Sequence, residues 1–233
     1  MSPRTDAVRP QGDRPPVPLD GAPQSVLSEL EQEIVSCRRC ALSRTRRRAV
    51  PGEGPATAAV MFVGEGPGAE EDASGRPFVG AAGQLLNSLL PLAGLCREEV
   101  FIANLVKCRP PGNRVPLPEE TAACRPFLVA QIAVIQPQVI CTLGSPALKE
   151  LLDPRYSVTQ VHGRLFKLHG MLHYAMFHPA AALYDESRLE TLRTDMQRLG
   201  AALQRLDAYG VGPPARETSA PTAQPSLFGE SAF

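Results

Sequence analysis

The chain has no apolar run near the roughly 18 residues that a membrane-spanning helix needs, so no membrane partner is expected. It has no net charge either, with 24 Lys and Arg against 24 Asp and Glu. No global field draws it to nucleic acid, and any such attraction has to come from a local patch. Lysine is scarce: Lys107, Lys149 and Lys167 are the only three, and the other 21 basic residues are arginines. Arginine suits phosphate and stacking contacts better than lysine, although biased codon usage is the ordinary source of such an excess. The opening MSPRTDAVRPQGDRPPVP lacks the apolar core of a secretory signal, which predicts a cytoplasmic location. In that reducing compartment the six cysteines are expected as metal ligands or small buried apolar groups, not as disulfides.

What is there reads as one domain between two tails. At 233 residues and 43% hydrophobic, the chain can bury one sizeable core. Residues 1–24, rich in Pro, Arg and Asp, predict a disordered arm, and residues 210–233 a flexible tail. Between them, residues 25–209 alternate apolar strand-like runs with helical ones. SVLSELEQEIVSC places Val26, Leu27, Leu30 and Ile34 on one helical face. AAVMFVG, VFIANLV and QVICTLG are continuous apolar runs, separated by the helical GQLLNSLLPLAG and EETAACRPFLVAQIAVI. SPALKELL predicts a short helix, FKLHG and MLHYAMFHP strand-like segments, and SRLETLRTDMQRLGAALQRL a terminal helix. Such alternation predicts an α/β fold, a three-layer α/β/α sandwich with a central, mainly parallel four-stranded sheet. Sites in such sheets sit at the carboxyl ends of strands. Those ends carry GEGPG, Asn104, the loop after Gly144, and His178, so the candidate chemistry converges on one rim.

VGEGPGAEED resembles a phosphate-cradling loop only superficially. Gly64, Gly66 and Ala69 satisfy G-x-G-x-x-A, yet Pro67 interrupts the motif and Glu65, Glu70, Glu71 and Asp72 would repel phosphate. The following ASGRPFVGAAG reads as loop rather than helix, and no acid falls between Ala73 and Arg97 to take a ribose.

Taken together with GRPFVGAAGQLL, NLVKCRPPGNRVP, the LG-x-x-A turn at Leu143–Ala147 and HPAAALY from His178, this stretch resembles the family 4 uracil-DNA glycosylases. They are the iron–sulfur branch of the uracil-DNA glycosylase superfamily, and the similarity runs in order from residue 30 to about 205. It implies a monofunctional glycosylase that hydrolyses the N-glycosidic bond of deoxyuridine in DNA, releases uracil and leaves an abasic site for excision repair. A non-catalytic iron–sulfur protein that binds or senses uracil-DNA is the alternative.

Cys37 and Cys40 form a C-x-x-C pair that is ambiguous by itself between zinc, redox and iron–sulfur chemistry. With Cys108 and Cys124 it can enclose a four-thiolate centre. The resemblance implies a [4Fe–4S] cluster on these four, with zinc as the rival; Cys96 and Cys141 are expected as core fillers. Asn104 ends a strand, where its carboxamide can accept from uracil N3–H and donate to O4. Phe78, between Pro77 and Gly80, can stack on an everted base, and Gly66 lets backbone approach it closely. The resemblance makes His178 the donor to uracil O2 as negative charge develops, and Glu65 the carboxylate that orients water or faces the sugar cation, with Asp72 second. Glu65 and His178 are thus the catalytic candidates, and Gly66, Phe78, Asn104 and His178 the base-binding ones. RRCALSRTRRR, residues 38–48, holds six arginines. Arg44, Arg46, Arg47 and Arg48 are the candidates for phosphate contact, and Leu183, beside Ala182 and Tyr184, for a wedge into the vacated stack. KCRPPGNRVPLPEE has no histidine where one branch of the superfamily traps its substrate covalently, which favours turnover. In the tail, Gln224, Leu227 and Phe228 resemble the peptide that bacterial sliding clamps accept, with Pro225 where leucine is usual. The expected protein is a monomer acting on single- or double-stranded uracil-DNA near the nucleoid.

Overall fold

The computed structural model describes residues 21–168 and 170–208. Three apolar runs make the middle of its sheet. β1 (Val60–Gly64), β2 (Phe101–Asn104) and β3 (Val139–Leu143) are buried at every position, as strands covered on both faces are. β1 pairs in parallel with β2 on one side and β3 on the other, with Gly64 opposite Asn104. β4 (Leu165–Leu168) pairs antiparallel with β5 (Met171–Met176), which runs parallel to β3. The order is β2-β1-β3-β5-β4. The sheet has five strands, not the four expected. β4 alternates exposed and half-buried residues, the pattern of an edge strand, and so lacks the continuous apolar run that marks the others.

The helices are α1 (Pro23–Ser36), α2 (Ala69–Ser74), α3 (Ala81–Leu89), α4 (Pro118–Ile135), α5 (Gly144–Leu151), α6 (Val158–Val161) and α7 (Glu186–Ala208). Successive strand residues point to opposite faces, and the core divides accordingly. Met61, Val63, Ala103 and Ile140 pack with apolar residues of α1 and α4. Val60, Phe62, Ile102, Val139 and Cys141 pack with those of α3 and α7. The result is the α/β/α sandwich. Two local readings need correction. AEED, directly after GEGPG, already opens α2, with Glu70, Glu71 and Asp72 in its first turn, while Gly75 to Gly80 of ASGRPFVGAAG is loop as read. Cys96 is exposed rather than a core filler, because it precedes a one-turn helix at Arg97–Glu99, whereas Cys141 is fully buried in β3.

α1 begins at Pro23, two residues before the boundary read from the sequence. Residues 1–20 and 209–233 lie outside the described residues, and the clamp-like Gln224, Leu227 and Phe228 lie there too. Among the described residues no helix is long and apolar enough to cross a membrane. Because β1, β2, β3 and β5 are parallel, their carboxyl ends open on one rim.

Candidate active site

The rim is crowded around Gly64, the last residue of β1. A methyl group there would stand 2.5 Å from Asn104 Oδ1 and 2.7 Å from Phe78 Cζ, so only glycine lets the amide and the ring approach this closely. The Phe78 ring lies 5.6 Å, centroid to centroid, from the His178 imidazole at a 31° tilt. Asn104, Phe78 and His178 therefore share one cleft although 26 residues separate Phe78 from Asn104 and 74 separate Asn104 from His178. Asn104 is 1% exposed, and its Oδ1 is buried without a hydrogen-bond partner. A buried acceptor left unpaired is costly, and a ligand N–H would satisfy it.

Phe78 is held against its own preference. Its φ is +51°, a left-handed conformation that is uncommon for a bulky residue and clusters at functional sites. Three anchors impose it. Arg97 donates from Nη1 to the Phe78 carbonyl (3.1 Å) and to Asn87 Oδ1 (2.9 Å), and from Nη2 to the Pro77 carbonyl (2.6 Å). Glu71 accepts from the Val79 and Gly80 amides, each at 2.9 Å, and from the Gly68 amide at 3.0 Å. Gly83, in α3, leaves room for the Phe78 carbonyl where a side chain would overlap it. Neither Glu71 nor Arg97 stands out as a site residue in the sequence. The only local signal for Glu71 is its place at the third position of a helix opened by Gly68, where a carboxylate caps backbone amides.

His178 Nδ1 accepts from the Ala180 amide at 3.1 Å. The proton of the neutral ring therefore sits on Nε2, free to donate into the cleft. Burial pulls the imidazole down to about 4, against the opposing pull of the Glu71 carboxylate, so the ring is neutral at physiological pH. Its unfolded counterpart takes up a proton below the ordinary 6.5. The contribution of His178 to stability is thus intact above that pH and is lost as pH falls toward 4. Thermal unfolding midpoints are expected to drop across this window, and to drop less in a His178→Asn protein.

Glu65 follows Gly64 directly; it is half-buried, and burial raises its carboxyl above the usual range. Gly66 packs instead against the Val106 and Pro110 side chains. Asp72 is buried and accepts from the Arg47 amide at 2.9 Å, so its carboxylate serves the fold of the basic segment. Arg44, Arg47 and Arg48 are exposed. Arg46 is not available to phosphate as expected: its guanidinium turns inward, donating to Cys108 Sγ at 2.9 Å and to the Val35 and Cys37 carbonyls at 2.6 and 3.0 Å. Leu183 is half-buried beside a one-turn helix at Pro179–Ala182, whereas Tyr184 is 98% exposed and is the better placed of the two to enter a base stack.

Cys37, Cys40, Cys108 and Cys124 line one small cavity between α1 and α4. Amide and guanidinium groups donate to three of the sulfurs: Arg39 N–H to Cys37 (3.5 Å), Arg46 to Cys108 (2.9 Å) and Lys107 N–H to Cys124 (3.2 Å). As free thiols, Cys40, Cys108 and Cys124 are disfavoured as anions. Burial pushes Cys124 up to about 12 and raises Cys40 and Cys108, with Lys107 and Arg46 opposing it at Cys124 and Cys108. Hydrogen bonds to sulfur are what iron–sulfur centres use to stabilise thiolate ligands, so the donor set fits such a cluster. Among the described residues no three candidate ligands stand as close as a single metal ion requires. Lys107, between Asn104 and this cavity, is buried, and its ammonium falls to about 8 by desolvation.

Residues 51–204 match the family model described as Uracil DNA glycosylase superfamily, which takes in the sheet, the Phe78 loop and His178. The Type-4 uracil-DNA glycosylase of Sulfurisphaera tokodaii is 43% identical over 182 residues, which is 74% of this chain and 83% of its own. That of Thermotoga maritima is 46% identical over 166 residues, 70% and 86% of the two chains. A Type-5 uracil-DNA glycosylase from Pyrobaculum aerophilum is more distant, at 29% identity over 214 residues. The chain belongs to the type-4 family of that superfamily. Cys108 and Cys124 fall inside the matched span, and Cys37 and Cys40 precede it.

Proposed function

We propose that the protein is a monofunctional uracil-DNA glycosylase that binds an everted uracil between Phe78, Asn104 and His178. The observation that carries the reading is the orphaned Asn104 Oδ1, buried beside the Phe78 ring. Everted from the duplex, uracil stacks on Phe78 and presents N3–H to Oδ1 and O4 to the amide nitrogen. Cytosine offers a lone pair at N3 and a donor at C4, so both contacts would be mispaired. The C1′–N1 bond breaks with its electron pair leaving on uracil. His178 Nε2–H, a neutral donor, meets O2 as that charge develops. Water then bonds to C1′, its surplus proton leaving to solvent or to the departing base, and Glu65 faces the sugar and orients that water. Free uracil and an abasic site result.

Cys37, Cys40, Cys108 and Cys124 would hold a [4Fe–4S] cluster, a reading supported by the amide and guanidinium donors that meet three of the sulfurs. When bound, the cluster supplies a cross-link, tying the end of α1 to the Asn104–Cys108 segment and α4. Arg44, Arg47 and Arg48 would contact phosphates, with Leu183 and Tyr184 at the vacated stack. Gly66 would hold the backbone of the first loop in place. We extend the proposal to residues 25–209 as the catalytic unit, a monomer at the nucleoid, with Gln224, Leu227 and Phe228 as a sliding-clamp ligand.

Incubation with an oligonucleotide bearing one deoxyuridine tests the reading. The expected result is free uracil and an alkali-labile abasic site, from a brown, iron-containing protein that loses its iron in a Cys124→Ser variant. Tight binding without uracil release would instead identify a uracil-DNA sensor, and zinc in place of iron would overturn the cluster.

A further inference from the structure

We propose that Lys107 is a positioning residue for Asn104: its ammonium holds the Asn104 carbonyl from behind the pocket and so fixes the amide that meets the base. The inference rests on the glycosylase reading. Lys107 is 1% exposed, and Nζ donates to the Asn104 carbonyl at 3.1 Å and to Gln131 Oε1 at 2.7 Å. Both acceptors are neutral. An ammonium buried without a carboxylate partner is expensive, and a methionine would fill the same space without that cost.

What the lysine holds accounts for its place there. The peptide unit after Asn104 is pinned at both ends, since the Leu105 amide donates to the Gly64 carbonyl at 2.9 Å while the Asn104 carbonyl accepts from Lys107. The amide oxygen itself has no partner in the protein, so its position derives from this backbone and from packing on Gly64 and Phe78. Gln131 anchors the far end, donating from Nε2 to the Pro51 carbonyl at 2.8 Å, and the Val50 amide donates to the Lys107 carbonyl at 2.7 Å. The Lys107 amide meets Cys124 Sγ. One buried polar chain thus runs from the end of the arginine-rich segment, past the four-cysteine cavity, to Asn104.

Full-length wild type and Lys107→Met are compared under single-turnover conditions on oligonucleotides carrying deoxyuridine or 5-fluorodeoxyuridine. A misplaced catalytic amide costs up to about 100-fold in rate. The expected result is a loss of about 10- to 100-fold in the maximal rate on deoxyuridine, with half-saturating DNA concentration, thermal midpoint and visible cluster absorption unchanged. The loss should be smaller on 5-fluorouracil, a more acidic leaving group that depends less on the Asn104 contact. Wild-type rates in the variant overturn the proposal. So does an equal loss on both bases with a lowered midpoint or bleached cluster, which marks a purely structural lysine. If Lys107→Met does not fold, Gln131→Met, which frees the far end of the ammonium, should show the same split with a smaller loss, and equality with wild type overturns the role. A wild type that releases no uracil overturns the glycosylase reading and this one with it.

Discussion

Asn104→Ala is expected to lower single-turnover release of uracil by about 10²- to 10³-fold, the range seen when one preorganised group facing developing charge is removed. The side chain meets the base twice in the proposed pose, once as acceptor from N3–H and once as donor to O4. Only the second contact strengthens as the base becomes an anion, so the loss should fall on the maximal rate more than on DNA binding. A second readout separates this from general damage. Most buried polar side chains support the fold, and truncating them lowers stability. Asn104 Oδ1 has no partner within the protein, so removing it deletes an unsatisfied buried group. The thermal midpoint of Asn104→Ala is therefore expected to stay at or above that of the wild type. A lowered midpoint with retained uracil release would make Asn104 a structural residue and remove the basis of the proposed chemistry.

The elements that sequence reading reaches are those whose pattern is local. β1, β2 and β3 are uninterrupted apolar runs ending in Gly64, Asn104 and Leu143, and that alone places their carboxyl ends on one rim. β4 is legible as the strand-like FKLHG but falls outside the expected count of four, because its half-exposed face lacks a continuous apolar run; α2 escaped because six residues are too few to show a period. Asn104, Phe78 and His178 are legible from their motifs, and the sheet brings them together. Direction is what sequence does not carry. Arg46 sits in a run of arginines that reads as a phosphate patch, yet its guanidinium packs on Cys108. That choice depends on a thiol 62 residues away. The exposure of Tyr184 against the partial burial of Leu183 likewise depends on how the Pro179–Ala182 turn seats on the sheet. Arg97 and Glu71 act through backbone carbonyls and amides of the Phe78 loop, which no side-chain pattern announces. The left-handed φ of Phe78 is visible only once the loop is closed.

The same orphaned oxygen makes a still larger effect available through the substrate. A site built to pair with a polar group rejects an analogue that cannot pair by about 10⁴-fold or more, because the site's own buried atom is left unsatisfied. N3-methyldeoxyuridine keeps the O2 and O4 acceptors, the stacking face and the glycosidic bond of deoxyuridine. It differs where Asn104 Oδ1 points, placing a methyl group against an acceptor that already packs on Gly64 and Phe78. The methyl also leaves charge on O2 available to His178, so any loss reports on the amide and not on the imidazole. The decisive measurement compares single-turnover base release by the wild-type protein from two oligonucleotides identical except for this methyl group. Rapid loss of uracil with the methylated base retained, by about 10⁴-fold, is the predicted result; release of both bases at similar rates would show that Asn104 does not read the N3 edge.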